Sequence, residues 1–378
     1  MIKYFESTDA GAPTLNNAVG SMIALLDACL ITGYNSKAVT SITVASGVAT
    51  VVCTAHGYAN TYGKAIRIAG ATPVGLNKDT QIANVSTNGF TFLCPGVADG
   101  VATGTLTAKY APLDWTKQYS GTNKAMYKRG DVTATGCMLR IDDTAVGQSC
   151  RALMVNSATD VDTYTGPAPL AAQITDGLGQ YWSKGYNSAT AAPWMLVCDG
   201  LSMYLFVSSA VANLHYIAHG FGDMIDFKPG SVMGCTIAGP AAAGSNNAYT
   251  YYGNVTSIGA WVVAGGKNGV TTSQVLCLGT AIANYGVGDG AVYPSDVDGG
   301  LVIAYPMLIN EASSTGSRRG VLPGFAIPLA TLATVLPSKT LISNIVGYPR
   351  TFLCISCAQY LGANAAFYPL IDLTGPWR

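Results

Sequence analysis

The sequence is short of charge. Of its 378 residues only 11% are Asp, Glu, Lys or Arg, less than half the share usual in a soluble domain. Twenty basic residues face twenty acidic ones, so no net field exists to draw nucleic acid or an anionic membrane surface. Glutamate is nearly missing: Glu6 and Glu311 are the only two, and every other acid is Asp. Glu favours helices, whereas Asp belongs with Gly and Pro in turns and caps. Histidine is limited to His56, His215 and His219. There is no long unbroken apolar run either. The charge-free stretch between Lys228 and Lys267 is interrupted by Pro, Asn, Ser and repeated Gly, which argues against a membrane span. The opening Met1-Ile-Lys-Tyr-Phe-Glu6 runs into polar residues with no apolar stretch and cleavage site, so no signal peptide is expected.

What is present points to strands. Hydrophobic residues make up 49% of the chain, enough to exclude intrinsic disorder. The 44 Gly, 17 Pro and 21 Tyr, with many Thr and Val, suit short strands joined by many turns. A surface with so few ions is expected to be covered by neighbours. The ten cysteines are Cys29, Cys53, Cys94, Cys137, Cys150, Cys198, Cys235, Cys277, Cys354 and Cys357. They are scattered through apolar runs, the pattern of free, buried thiols made in a reducing cytosol.

At about 150 residues per domain the length predicts two or three folded units. Residues 1–12 read as an irregular arm. Ala18 to Leu30 reads as a helix, capped by Asn16 or Asn17 and stopped by Gly33, with Asp27 expected to be solvated or capped. From Ser41 the pattern turns to period two. A hairpin turns at Gly47, and further strands are expected at 65–70, 80–85, 90–93 and 102–108. The expected organisation is an N-terminal arm and helix over 1–40, a small β-module over 41–110 and a larger β-rich domain over 111–378. The fold class is mainly β: a small β-sandwich or barrel module, then a larger irregular β-sandwich, with one short N-terminal helix. Strands in the larger part are expected at 137–141, 151–155, 194–199, 203–207, 216–220, 260–264, 301–307 and 351–354. Long loops at 239–254 and 283–300 suggest ordering by a partner.

Reactive constellations are sparse. His215 and His219 are spaced i, i+4 with Asp223 four further on, a spacing that can hold a metal on a helix; the surrounding Tyr-Ile-Ala and Gly-Phe-Gly read instead as strand and turn. His56 reads as a turn residue. Cys354-Ile-Ser-Cys357 lacks the second pair that zinc needs, and in a strand its thiols point to opposite faces. The acidic pairs Asp142-Asp143, Asp160 with Asp162, and Asp296 with Asp298 fall short of a calcium loop. They read as side-chain-to-backbone turns, although a glycoside hydrolase would accept such a pair. Gly265-Gly266-Lys267-Asn268 lacks the hydroxyl and spacing of a phosphate loop. No catalytic residue, cofactor-binding residue or metal ligand is assigned, and no cofactor is expected.

The segment Gly47-Val-Ala-Thr-Val-Val-Cys-Thr-Ala-His-Gly-Tyr58, followed by Ile66-Arg-Ile-Ala-Gly-Ala-Thr72, Gly75-Leu-Asn77 and Asn88-Gly-Phe-Thr-Phe92, resembles a small β-module of tailed-bacteriophage virion proteins. That module is similar to the first catalytic-cysteine half-domain fold of ubiquitin-activating enzymes; the resemblance implies an accessory structural domain without ubiquitin chemistry. Four further segments, Tyr119 to Tyr127, Leu139 to Thr144, Asp160 to Pro167 and Arg319 to Gly324, together with the helix at Ala24 to Leu30, resemble a family of phage structural proteins. The resemblance implies a non-enzymatic subunit of the tail or baseplate, assembled in the bacterial cytoplasm into a virion. Its partners would be copies of itself and other virion proteins, with no nucleic acid and no membrane insertion. Residues 1–33 are the expected attachment element. The alternatives are a capsid decoration protein, a receptor- or glycan-binding tip protein using Tyr249, Tyr251, Tyr252 and Trp261 or Tyr181 with Trp182, and a polysaccharide hydrolase using Asp160 and Asp162.

Overall fold

A computed structural model describes residues 1–171, 174, 176–185, 188–210, 213–227, 234–239, 262–264, 272–277, 293–295, 299–311, 317–328, 332, 336–358 and 365–378. The chain is mainly β, with strands over 46% of the described residues and helix over 6%. Its sheets are antiparallel apart from one parallel bridge, Tyr216 to Cys357, and none of those described closes into a barrel.

The small module is a sandwich of two sheets. One orders Tyr34–Ala38, Thr107–Tyr110, Ala65–Ala69 and Asp79–Gln81; the other orders Ala83–Ser86, Gly89–Leu93, Val48–Val52, Ser41–Ala45 and Gly100–Val101. The hairpin turn falls on Ser46 and Gly47, with φ of 51° and 75°, the paired left-handed conformation that a two-residue hairpin demands. Ile42, Val44, Ala49, Val51, Phe90 and Phe92 face inward and are buried.

The rest is built around one twelve-stranded sheet. Its strand Trp194–Cys198 is buried at every position, because both faces are covered. Trp194, Leu196 and Cys198 enter one core, while Met195 and Val197 enter another. On the first side lies a five-stranded meander of Thr116–Gly121, Lys124–Lys128, Met138–Asp142, Ser149–Val155 and Gln180–Ser183; on the second lies a sheet ordered Ile303–Ala304, Phe325–Pro328, Leu370–Asp372, Phe352–Cys354 and Thr340–Ile342. Continuous apolar runs such as Trp-Met-Leu-Val-Cys follow from this layering.

Residues 1–12 are not an irregular arm. Lys3–Glu6 is a strand of the large sheet, paired antiparallel with Trp194–Cys198, and Ile2, Lys3, Tyr4 and Phe5 are buried. The alternation Ile-Lys-Tyr-Phe hides a cation, Lys3, whose ammonium is satisfied by Asp79 at 2.6 Å and by the Pro112 carbonyl. The segment thus belongs to the fold itself.

The helix is also shorter than expected. It runs Ser21–Leu26 and widens to a π-helix over Asp27–Thr32. Its N-terminus carries no local side-chain cap; the Met22 amide donates instead to Asp143 Oδ2 at 2.9 Å. Asp27 is not merely solvated: Lys117 forms an ion pair with it and the Tyr127 hydroxyl donates to it.

Candidate functional site

Two of the three histidines sit on one strand, and His56 lies in the loop after Val48–Val52. His215 and His219 both belong to Asn213–Asp223. His215 Nδ1 lies 2.6 Å from Ser356 Oγ, and His219 Nε2 accepts from the Ser183 amide at 3.0 Å while its ring stacks on Trp182. Burial holds His219 down at about 3, so the ring is neutral. Asp223 is engaged by the buried guanidinium of Arg129 at 2.7 Å. His56 is buried, stacked on Tyr58 and accepting its amide at Nδ1. Among the described residues no cluster of His, Cys, Asp and Glu has the arrangement of a metal site.

The thiols behave as the apolar runs predict. All nine cysteines whose surroundings are described are free and buried; Cys277 is the tenth. Cys354 and Cys357 enter different cores because they lie on separate strands, Phe352–Cys354 and Cys357–Ala358, of different sheets, and burial pushes the Cys354 thiol up to about 12.

The acidic pairs divide. Asp160 accepts from the amides of Asp162 and Thr163, an Asx turn. Asp162 is held by Lys124 at 2.9 Å and Arg140 at 2.7 Å, and these hydrogen bonds lower its pKa. Asp143 faces Lys184 at 2.5 Å in a pair with no exposed side-chain surface. The Lys184 ammonium also donates to the Ala18 carbonyl at 2.9 Å, so this pair secures the start of the helix. Asp296, Asp298, Gly265 to Asn268, Tyr249, Tyr251, Tyr252 and Trp261 lie outside the described residues.

One groove collects several of these groups. It has a volume of about 460 Å³ and lies on the outer face of the meander, lined by Arg140, Asp142, Arg151, Tyr164, Leu178 and Tyr181 among others. Strand alternation explains the set. Leu139, Ile141, Cys150 and Ala152 turn into the core, leaving Arg140, Asp142 and Arg151 on the opposite face. Tyr181, opposite Arg151 in register, faces the groove, whereas the adjacent Trp182 is fully buried in the core. Arg151 stacks on the Tyr181 ring at 3.2 Å and pairs with Asp176. The Tyr181 hydroxyl donates to the same carboxylate at 2.7 Å. Arg140 pairs with Asp142 and Asp162 and lies 5.4 Å from the Tyr164 ring centre.

Sequence reasoning singled out Asp142 and Tyr181 but not the two arginines, whose partners Asp162 and Asp176 lie 22 and 25 residues away. The outward period-two positions of Met138–Asp142 and Ser149–Val155 were the available signal. No family model matches this chain, and no curated protein matches it.

Proposed function

We propose that this chain is a non-enzymatic structural subunit of a bacteriophage particle, of tail or baseplate type, acting through multi-copy assembly. The observation that carries the assembly reading is the outer face of the five-stranded sheet in the small module. Three cross-strand rows make up this face: Val101, Thr43, Thr50, Thr91 and Ala83; Ser41, Val52 and Gly89; Ala45, Val48 and Leu93. None of these residues is charged. Val52, Leu93 and Val101 are 42%, 70% and 68% exposed, where a solvated sheet face ordinarily carries ionic side chains.

Its strands hold 4, 5, 5, 5 and 2 residues, and at about 4.8 by 3.3 Å per residue they give a face of roughly 330 Å². Two such faces hide about 660 Å² in projection, so the flanking turns must join the contact to reach the roughly 1,000 Å² of a specific interface. Without charges, identical copies meet with no like-charge cost. The phage assignment itself rests on the resemblances of the Gly47 to Tyr58 and Tyr119 to Tyr127 segments.

Two measurements test this reading. Immunogold labelling of purified phage particles from the strain that encodes the chain is expected to mark tails or baseplates; particles lacking the chain would overturn the phage assignment. Light scattering of the purified full chain is expected to show multimers that Thr43→Lys/Thr50→Lys dissociates without lowering Tm. Multimers unaffected by the two lysines would remove this face from the interface.

A further inference from the structure

We propose that the groove on the outer face of the meander is a binding site for a short, uncharged saccharide. This goes beyond assembly and does not depend on it. The volume of about 460 Å³ falls within the roughly 300–1,000 Å³ of small-molecule sites.

Two arginines in the wall suggest an anion at first sight. The ion pairs argue otherwise. Arg151 is matched by Asp176; Arg140 and the adjoining Lys124 are matched by Asp142 and Asp162. Three cations therefore meet three carboxylates, and a phosphate or carboxylate ligand would have to break a pair before it gained one. What remains for a ligand is directional hydrogen bonding from the lining residues Gln148 and Ser149, since the Thr144 hydroxyl donates to Asp142 at 2.7 Å.

The apolar part of the lining is equally specific. Val146 and Leu178 stand on it at 70% and 59% exposure, and the half-buried Tyr164 adds an aromatic ring. A pyranose presents CH groups on its faces and hydroxyls around its rim. Apolar side chains beside paired, planar polar groups complement that pattern. A purely apolar ligand would leave the polar lining desolvated without partners.

The test is saturation-transfer NMR on the full chain with millimolar cellotriose, maltotriose and chitotriose, and with sialyllactose as the anionic arm. At least one neutral trisaccharide is expected to bind. Leu178→Asp, at an exposed position, is expected to weaken that binding about tenfold with Tm unchanged, and Tyr164→Ala to weaken it similarly with a lower Tm, because the ring packs on Met126, Met138, Leu153 and Val155. Binding of sialyllactose alone would overturn the charge argument. No binding by any of the four, or neutral binding untouched by both variants, would overturn the site.

Discussion

Replacing Lys184 by methionine tests how the first helix is held. Lys184 and Asp143 are wholly buried and 2.5 Å apart, and Asp143 also accepts the Met22 amide that opens the helix. Lys184→Met keeps much of the apolar stem but leaves a carboxylate in the core with no counter-charge. Breaking one side of such a pair costs about 3–5 kcal/mol. With an unfolding entropy of about 2.1 cal/mol/K per residue, 378 residues convert about 4 kcal/mol into a Tm loss of about 5 °C. Differential scanning calorimetry at pH 7 reads this directly. Adding Asp143→Asn removes the stranded charge while retaining an acceptor for Met22, so the double variant is expected to regain at least half of the loss. A single variant within about 1 °C of wild type, or a double variant that is worse, would falsify the view that charge pairing organises this junction.

Glu6 gives a prediction about acid. Burial alone would push its carboxyl up, but the ammoniums of Lys64 and Lys339 more than offset this and hold it at about 2, against an ordinary value near 4.5. The stabilisation, about 3 kcal/mol from the size of that shift, is complete above pH 4.5 and is lost as the pH falls towards 2. Melting curves should therefore show Glu6→Gln well below wild type at pH 7 and converging with it near pH 2; a constant gap would contradict the linkage. His219, held near 3 by burial, should keep a neutral ring in ¹H–¹⁵N spectra down to about pH 4, and protonation near pH 6 would show that the ring is solvated. Gln180 is fully buried and neither amide atom has a hydrogen-bond partner. Gln180→Met should accordingly raise stability by about 1–2 kcal/mol in urea titration, whereas a loss of that size would mean the amide is satisfied.

Local pattern made the strands legible, and distance in sequence hid most of what organises them. The hairpin over Ser41–Val52 and the run Trp194–Cys198 were readable because alternation and turn chemistry lie within a dozen residues. Lys3–Glu6 was not, since a four-residue strand with a lysine in it becomes interior only through Cys198, Asp79 and Pro112. The helix cap was sought at Asn16 or Asn17 and is supplied by Asp143, 121 residues away. Asp27 reads as a surface acid until Lys117 and Tyr127 are brought to it. Of the groove, Tyr181 and Asp142 were visible as residue types, but Asp162 and Asp176, which also neutralise its arginines, come from loops whose positions no short window encodes.

The pairing of the first strand sets a timetable for synthesis. The Lys3 carbonyl accepts from Cys198 Sγ, 195 residues along. Glu6 meets Lys339 at 2.8 Å, and Ile2 lies under Gly375. As the ribosome delivers the chain, the strand Lys3–Glu6 must wait, unpaired, until Trp194–Cys198 has emerged, and its neighbours Lys339 and Gly375 arrive later still. Slow translation would therefore leave Lys3–Glu6 as a sticky, unpaired β-edge, and ribosome-bound fragments ending before residue 194 should depend most on chaperones.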